Sequence, residues 1–274
     1  MPEDSRHLET IGTTDTNDTT KTTETTASIG SADNPDSLDH VQTARLVMDL
    51  LHRTVMHHGL WFAEVAHQLG QERARELLAD VLERSWSIQV KHLSRALGFA
   101  VEDGVPAPLL ALDHETLRAL RDALAKNWLV NDGVWFQAVE FSRGMNDAKR
   151  CNDSCWARFS PVEAASIRRL LGLEKDCGLE GLRRAFQFRL YSCINEQTIA
   201  FEGDGALVLR MNRCRVQAAR KRKGLDDYPC KSGGLVEYTT FAETIDPAIR
   251  TECLACPPDA HPEEWVCAWR FTMG

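Results

Sequence analysis

A chain of 274 residues that is 43% hydrophobic and 26% charged can bury one large core or two small ones, which excludes fibrous and wholly disordered classes. Its formal charge of -8 argues against a broad nucleic-acid surface, because phosphate contacts need clustered basic side chains. No apolar run approaches the ~20 residues that cross a bilayer, and the N-terminus lacks the basic start and apolar stretch of a secretion signal; the expected compartment is cytoplasmic, with no membrane partner.

Residues 1–36, dominated by "TIGTTDTNDTTKTTETT", offer almost nothing to bury and are expected to form a disordered tail. Helical spacing begins near Ser37, with Leu38, Val41, Val47, Leu50, Leu51 and Val55 on one face, and the pattern predicts an end at His57, His58 and Gly59. "LWFAEVAHQLG" predicts a second helix stopping at Gly70, and the run from Gln71 a third stopping at Gly98. Asp113 is placed to cap "HETLRALRDALAKNWL", and "GVWFQAVEFSRGMNDAKRC" reads as a separate helix. Ser160, Pro161 and Glu163 carry a capping box with proline at the first helical position, predicting a new helix over "VEAASIRRLLGL".

Past Cys193 the texture changes. "QTIAFE" and "ALVLRMN" flank "GDG" and predict a β-hairpin. Short helices at 214–223 and 233–244 precede a second hairpin with arms near 249–255 and 265–271. The expected fold class is α+β: a helical region over 37–195 packed on a small four-stranded antiparallel sheet in 196–274, with helices on one face, the two regions forming one compact domain. In "RCRVQAARKRKG", Arg213, Arg215, Arg220, Lys221, Arg222 and Lys223 crowd together; a solvated helix face is the expectation, with no specific DNA binding.

Nine cysteines in a chain without a secretion signal point to metal ligation, reactive thiols or plain burial rather than a disulfide framework. A symmetric register for the last hairpin, centred on residue 260, places Cys253 opposite Cys267. Cys256 lies at CxxC spacing from Cys253, and Cys230 completes the pattern C-x22-C-x2-C-x10-C. Four thiolates suit tetrahedral Zn2+ or, as an alternative, an iron–sulfur cluster; the competing reading is four buried thiols. With a closed thiolate shell the zinc is expected to brace the C-terminal hairpin. Cys214 is an alternate ligand or a nucleophile, and Cys151, Cys155, Cys177 and Cys193 are expected in the core.

This cysteine spacing, set in sheet, helix and terminal hairpin, resembles the vinyl-reductase-type domain, the small-molecule-binding module of bacteriochlorophyll 4-vinyl reductase proteins and of phenol-sensing activators. Carried over by position, the sensors' zinc ligands become Cys230, Cys253, Cys256 and Cys267, with Cys253 standing where the sensors carry glutamate and with a longer final spacer. "HHGLWFAEVAHQLGQERA", "GVWFQAVE", "CRVQAARKRKGLDDYPCKSGGLVEY" and "CLACPPDAHPEEWVCAWRF" are similar to bacterial and archaeal cytosolic proteins grouped near the L-2-amino-thiazoline-4-carboxylic acid hydrolases. That resemblance implies a hydrolase of a cyclic amidine, thiazoline or amide; the first one implies a non-catalytic ligand sensor.

Aromatics with polar company mark the candidate ligand residues Trp61, Glu64, Trp128, Trp135 and Phe136, and Lys231 is placed to meet a carboxylate or ease the neighbouring thiolate. Glu140, near an apolar wall, and Cys214 are the candidate base and nucleophile, although Glu140 also stands at i,i+3 to Arg143. The expected partner is a small molecule; a homodimer stays open. No GxSxG, HExxH, P-loop or GxGxxG motif names a reaction.

Overall fold

A computed structural model describes residues 32–274 apart from Asp204, Lys223, Leu225 and Asp226. The expected tail falls mostly on residues 1–31, outside the described ones, and Lys223 of the basic run does too. The chain divides into two compact units, Thr13–Leu93 and a second containing Ser94–Gly274. No helix among the described residues is long and apolar enough to cross a membrane.

In the first unit α1 (His40–Leu69) starts on an Asp39 capping box closed by Gln42. It runs through Gly59 rather than ending there, and it stops at Gly70. A Cβ at Gly59 would meet nothing within 4 Å. That glycine costs the helix about 0.5–1 kcal/mol relative to alanine, too little to break a 30-residue element. Helix α2 (Gln71–Leu97) follows and ends before Gly98 as expected.

The second unit begins within the last turn of α2 and continues with a two-rung hairpin, β1 (Val101–Glu102) and β2 (Val105–Pro106), and a single helical turn, α3 (Ala107–Leu110). Asp113 caps α4 (His114–Arg143), its carboxylate accepting from the Thr116 amide at 2.7 Å. This helix is continuous through Gly133, where two helices were expected. A larger departure is α5 (Met145–Leu171), which carries Ser160, Pro161 and Glu163 in its interior. The capping box is overridden by tertiary bonds: the Ser160 hydroxyl donates to the Glu237 carbonyl at 2.6 Å, and the Glu163 carboxylate accepts from Arg189 at 2.9 Å and from the Leu190 amide at 3.0 Å. Those buried bonds outweigh the helical hydrogen bond that proline cannot make.

The short α6 (Gly178–Phe186) leads to the four-stranded antiparallel sheet of β3 (Glu196–Glu202), β4 (Ala206–Arg213), β5 (Ile249–Ala255) and β6 (Cys267–Met273), in the order β3-β4-β6-β5. Between the hairpins lie α7 (Arg215–Arg222) and α8 (Lys231–Ile245). The α+β class, both hairpins and both short helices thus match the sequence pattern.

One sheet face reads Leu207 and Leu209 from β4 against Phe271 and Trp269 from β6, and it packs on Phe186, Leu182, Tyr238, Phe241, Ala242 and Ile245 of α6 and α8. Helix α8 can lie this close because of Gly234, whose added Cβ would stand 2.6 Å from Cζ2 of the fully buried Trp269 ring. Gly234→Ala is therefore expected to lower unfolding stability by about 1–3 kcal/mol, while Gly59→Ala raises it by about 0.5–1 kcal/mol. Denaturant midpoints check both, and equal small shifts at the two positions would contradict this packing.

The register corrects one expectation. Cys253 pairs with Trp269, not with Cys267, and the ladder is irregular between Cys253 and Ala255, after which Ala255 pairs with Ala268. Cys256, just past the end of β5, is the cysteine hydrogen-bonded to Cys267. The two arms meet the turn unequally, so the rung nearest it is Ala255 with Ala268 rather than one centred on residue 260, an offset that a symmetric count cannot anticipate.

Candidate functional site

Helix α4 brings Trp128, Asp132, Phe136 and Glu140 together at intervals of four, one stripe along its length. This stripe borders two hollows. The first, about 430 Å³, lies among α4, α5, α7, α8 and the sheet. Its apolar wall includes Phe136, Trp156, Tyr191, Tyr228, Tyr238 and Trp269, and its polar groups include Asp132, Glu140, Arg215 and Glu237. The second, about 460 Å³, lies between α4 and α5 and is bordered by Trp128, Trp135 and Phe159. Asp132, Phe136, Asn152 and Trp156 line both.

Four thiols reach the first hollow: Cys214, Cys230, Cys256 and Cys267. Cys230 immediately precedes α8 and is held from the side by Gln217, whose Nε2 donates to its Sγ at 3.2 Å and to the Tyr228 carbonyl at 2.8 Å while its Oε1 accepts from the Tyr228 amide. Cys256 hydrogen-bonds to both Cys230 and Cys267, which together with burial raises its own thiol pKa. The same bond from Cys256 lowers Cys230, against the effect of burial and with help from the Lys149 charge and from Gln217. Burial pushes Cys214 up to about 12, with the Cys230 charge adding to it. Cys253 lies on the same sheet face as Cys267; its thiol is raised by burial and eased by Lys231. Among the described residues, no group of three or more His, Cys, Asp or Glu side chains is set to hold a metal ion as it stands.

The carboxylates differ in their company. Glu237 is buried, and burial lifts its pKa to about 7 even though Arg189 stands beside it. Arg189, 2% exposed, donates through Nε to Glu163, and its Nη2 lies 2.7 Å from Glu237 Oε1 as an ion pair out of line for a hydrogen bond. Burial works against that guanidinium's charge, but the two carboxylates outweigh it and hold it protonated. Asp132 has no such partner, and burial alone lifts it to about 6. On the floor, the fully buried Trp269 Nε1 has no acceptor.

Of the residues singled out by sequence, Phe136, Glu140, Cys214, Cys230, Cys256 and Cys267 meet at the first hollow, and Trp128 and Trp135 border the second. Trp61 and Glu64 do not join them; they stand on α1 in the other unit, where Trp61 is exposed and Glu64 accepts from Gln68 Nε2 at 2.7 Å. Lys231 is taken up by Asp259 at 2.8 Å and is not on the cavity wall. Cys151 and Cys155, expected in the core, are exposed and border the second hollow. Asp246 is buried and accepts from the Gly178 and Ala248 amides.

Sequence reasoning missed Asp132, Trp156, Tyr191 and Tyr228. For Asp132 the signal was present: it continues the spacing of Trp128, Phe136 and Glu140 on α4.

Neither a curated protein nor a solved structure matches the chain. Residues 111–273 match a family of unknown function, DUF6125. That span takes in every residue lining the two hollows and more than half of the sequence, and the chain belongs to this family.

Proposed function

We propose that the protein binds a small organic molecule in the cavity among α4, α5, α7, α8 and the sheet, beside a zinc held by cysteine thiolates. The cavity itself carries this reading: about 430 Å³, aromatic on most sides, with a few polar groups converging on it. A fully buried indole N–H without an acceptor adds a place for a ligand heteroatom.

Support for zinc comes from the donor set. Cys256 bonds to Cys230 and Cys267, soft donors of the kind zinc prefers, and the fourth donor is Cys253 on the same sheet face or Cys214 on the cavity wall. Binding requires these thiols to lose their protons and turn toward one ion, which couples metal uptake to folding. The zinc's part is to tie β5 and β6 to the start of α8.

The hydrolase reading rests on Glu140 and Cys214, both on the cavity wall. It is the weaker of the two, because a thiol pushed to about 12 supplies almost no thiolate at neutral pH.

Metal analysis of the purified protein is expected to find roughly one zinc per chain. Cys256→Ser should lose it and Cys177→Ser should keep it, while Cys253→Ser and Cys214→Ser identify the fourth ligand. Native mass spectrometry should find a small molecule that Ala219→Trp, which fills the cavity, excludes. Metal-free protein with unaltered stability removes the zinc. Turnover of a cyclic amidine, lost in Glu140→Gln at an unchanged melting temperature, would replace the binding reading with the hydrolase.

A further inference from the structure

Among the described residues of the second unit, the buried carboxylates Glu163, Glu237 and Asp246 all have partners, whereas half-buried Asp132 on the cavity wall has none. Glu163 accepts from Arg189 and the Leu190 amide, Glu237 pairs with Arg189, and Asp246 accepts from two backbone amides. Half-buried Asp153 is met by Lys149 at 2.9 Å. Asp132 is met by nothing among the described residues. Removing a carboxylate from water without a counter-charge is costly, and proteins ordinarily relieve the cost with an arginine, a lysine or backbone amides.

The surroundings indicate what relieves it here. Asp132 stands where the two hollows adjoin, flanked along α4 by Trp128 and Phe136 and faced by Trp156 of α5. Trp156 stacks on Tyr191 at 5.7 Å, Trp128 meets Tyr191 edge-on at 5.0 Å, and Phe136 meets Tyr228 edge-on at 5.1 Å. Aromatic faces attract cations and repel anions. The protein already uses this chemistry within the same cluster, where the Arg189 guanidinium lies 4.6 Å from the Phe241 ring centre and 5.5 Å from those of Tyr191 and Tyr238. Glu140, one turn beyond Phe136, adds a second carboxylate to the same wall, while Arg215 and Arg220 of α7 also reach the cavity.

We infer that the cavity takes an organic cation, an amine or amidinium on a flat apolar body, with Asp132 as its counter-ion. This rests on the cavity being a ligand site, as proposed above, and adds the chemical class. Uncharged aromatics lack the charge that Asp132 needs, and anions meet it as a like charge in a place with little water to screen them.

Three isosteric probes separate the classes: benzamidine, cationic; benzamide, neutral; and benzoate, anionic. Their binding to the full-length protein can be followed by tryptophan fluorescence and ligand-observed NMR at mildly alkaline pH. Benzamidine is expected to bind about tenfold or more tighter than benzamide, with benzoate weakest. Asp132→Asn should erase the preference for benzamidine over benzamide, and Asp147→Asn, at the start of α5 where it pairs with Arg150, should leave both affinities and the preference unchanged. Equal binding of the three, a preference for benzoate, or a preference that survives Asp132→Asn overturns the cation assignment. If the favoured probe is then still excluded by Ala219→Trp, the cavity-binding reading stands without it; if no probe binds, both fall.

Discussion

Replacing Arg189 with methionine is expected to lower the stability of the 94–274 unit by about 3–5 kcal/mol, a large part of what holds a typical domain folded. The guanidinium is 2% exposed and joins Glu163 of α5 to Glu237 of α8, two helices that contribute to the cavity wall. Methionine keeps the volume but leaves two buried carboxylates without a counter-charge. Their protonation limits the damage, so the deficit depends on pH. Glu237 already sits at about 7, raised by burial and held back by Arg189; without Arg189 it rises further. A carboxylate whose folded pKa is raised binds more protons folded than unfolded, so stability falls as pH climbs from the unfolded value toward the folded one. Up to about pH 7 Glu237 is protonated in both proteins and the loss is shared, so the Arg189→Met deficit should be smallest below about pH 7 and grow above it, where the wild-type carboxylate ionises against Arg189 and the variant's has no counter-charge. Urea titrations across that range test it. A deficit independent of pH would mean that the triad is not an ionic unit. Making Glu163 and Glu237 methionine as well should recover most of the loss, since an apolar set of similar size fills the space without charges to solvate.

That triad also shows what the sequence could and could not reveal. Signals confined to a few residues were legible: Asp113 caps α4, Gly70 follows α1, and Gly203 and Gly205, both at positive φ, stand between the paired strands β3 and β4. Glu163 stood in an equally good local signal, a capping box with proline, and the outcome differed because its carboxylate is used by Arg189, 26 residues away. Local propensity amounts to about 1 kcal/mol at such a cap, and a buried charge-assisted bond exceeds it. The thiols show the same limit. Their spacing anticipated Cys230, Cys256 and Cys267 in one place, but the hairpin arms are offset about the turn, so that Cys253 pairs with Trp269 and Cys256 bonds to Cys267, and no single residue type encodes that offset. At the cavity, the α4 stripe gave Phe136 and Glu140, whereas Trp156, Tyr191 and Glu237 converge from three other segments and become neighbours only through the fold.

Asp132→Asn is expected to stabilise the protein at neutral pH by about 1–3 kcal/mol, discounted for the group's partial exposure, while weakening its hold on a cationic ligand. In the folded chain burial lifts this carboxyl to about 6, and no hydrogen bond or counter-charge draws it back. Unfolded, it returns to the ordinary aspartate range near 4. The folded state thus binds more protons than the unfolded state between those values, and the wild-type chain loses stability as pH rises through that window. Asparagine keeps the shape and does not ionise. Its advantage should be absent below about pH 4, grow up to about pH 6 and stay level above. The neighbours should respond as well: the Asp132 charge helps to raise Glu237, Tyr191 and Tyr228, so each should ionise at lower pH in the variant. Thermal melts of both proteins at pH values spanning the window provide the check, and an asparagine variant that is less stable at neutral pH would mean that Asp132 is held by a bond of its own. A side chain that lowers stability where it stands, on a cavity wall ringed by aromatics, is the familiar trade of stability for binding, and a cationic ligand should reverse the sign. Saturating benzamidine should raise the melting point of the wild type more than that of Asp132→Asn, narrowing or closing the gap that the substitution opened.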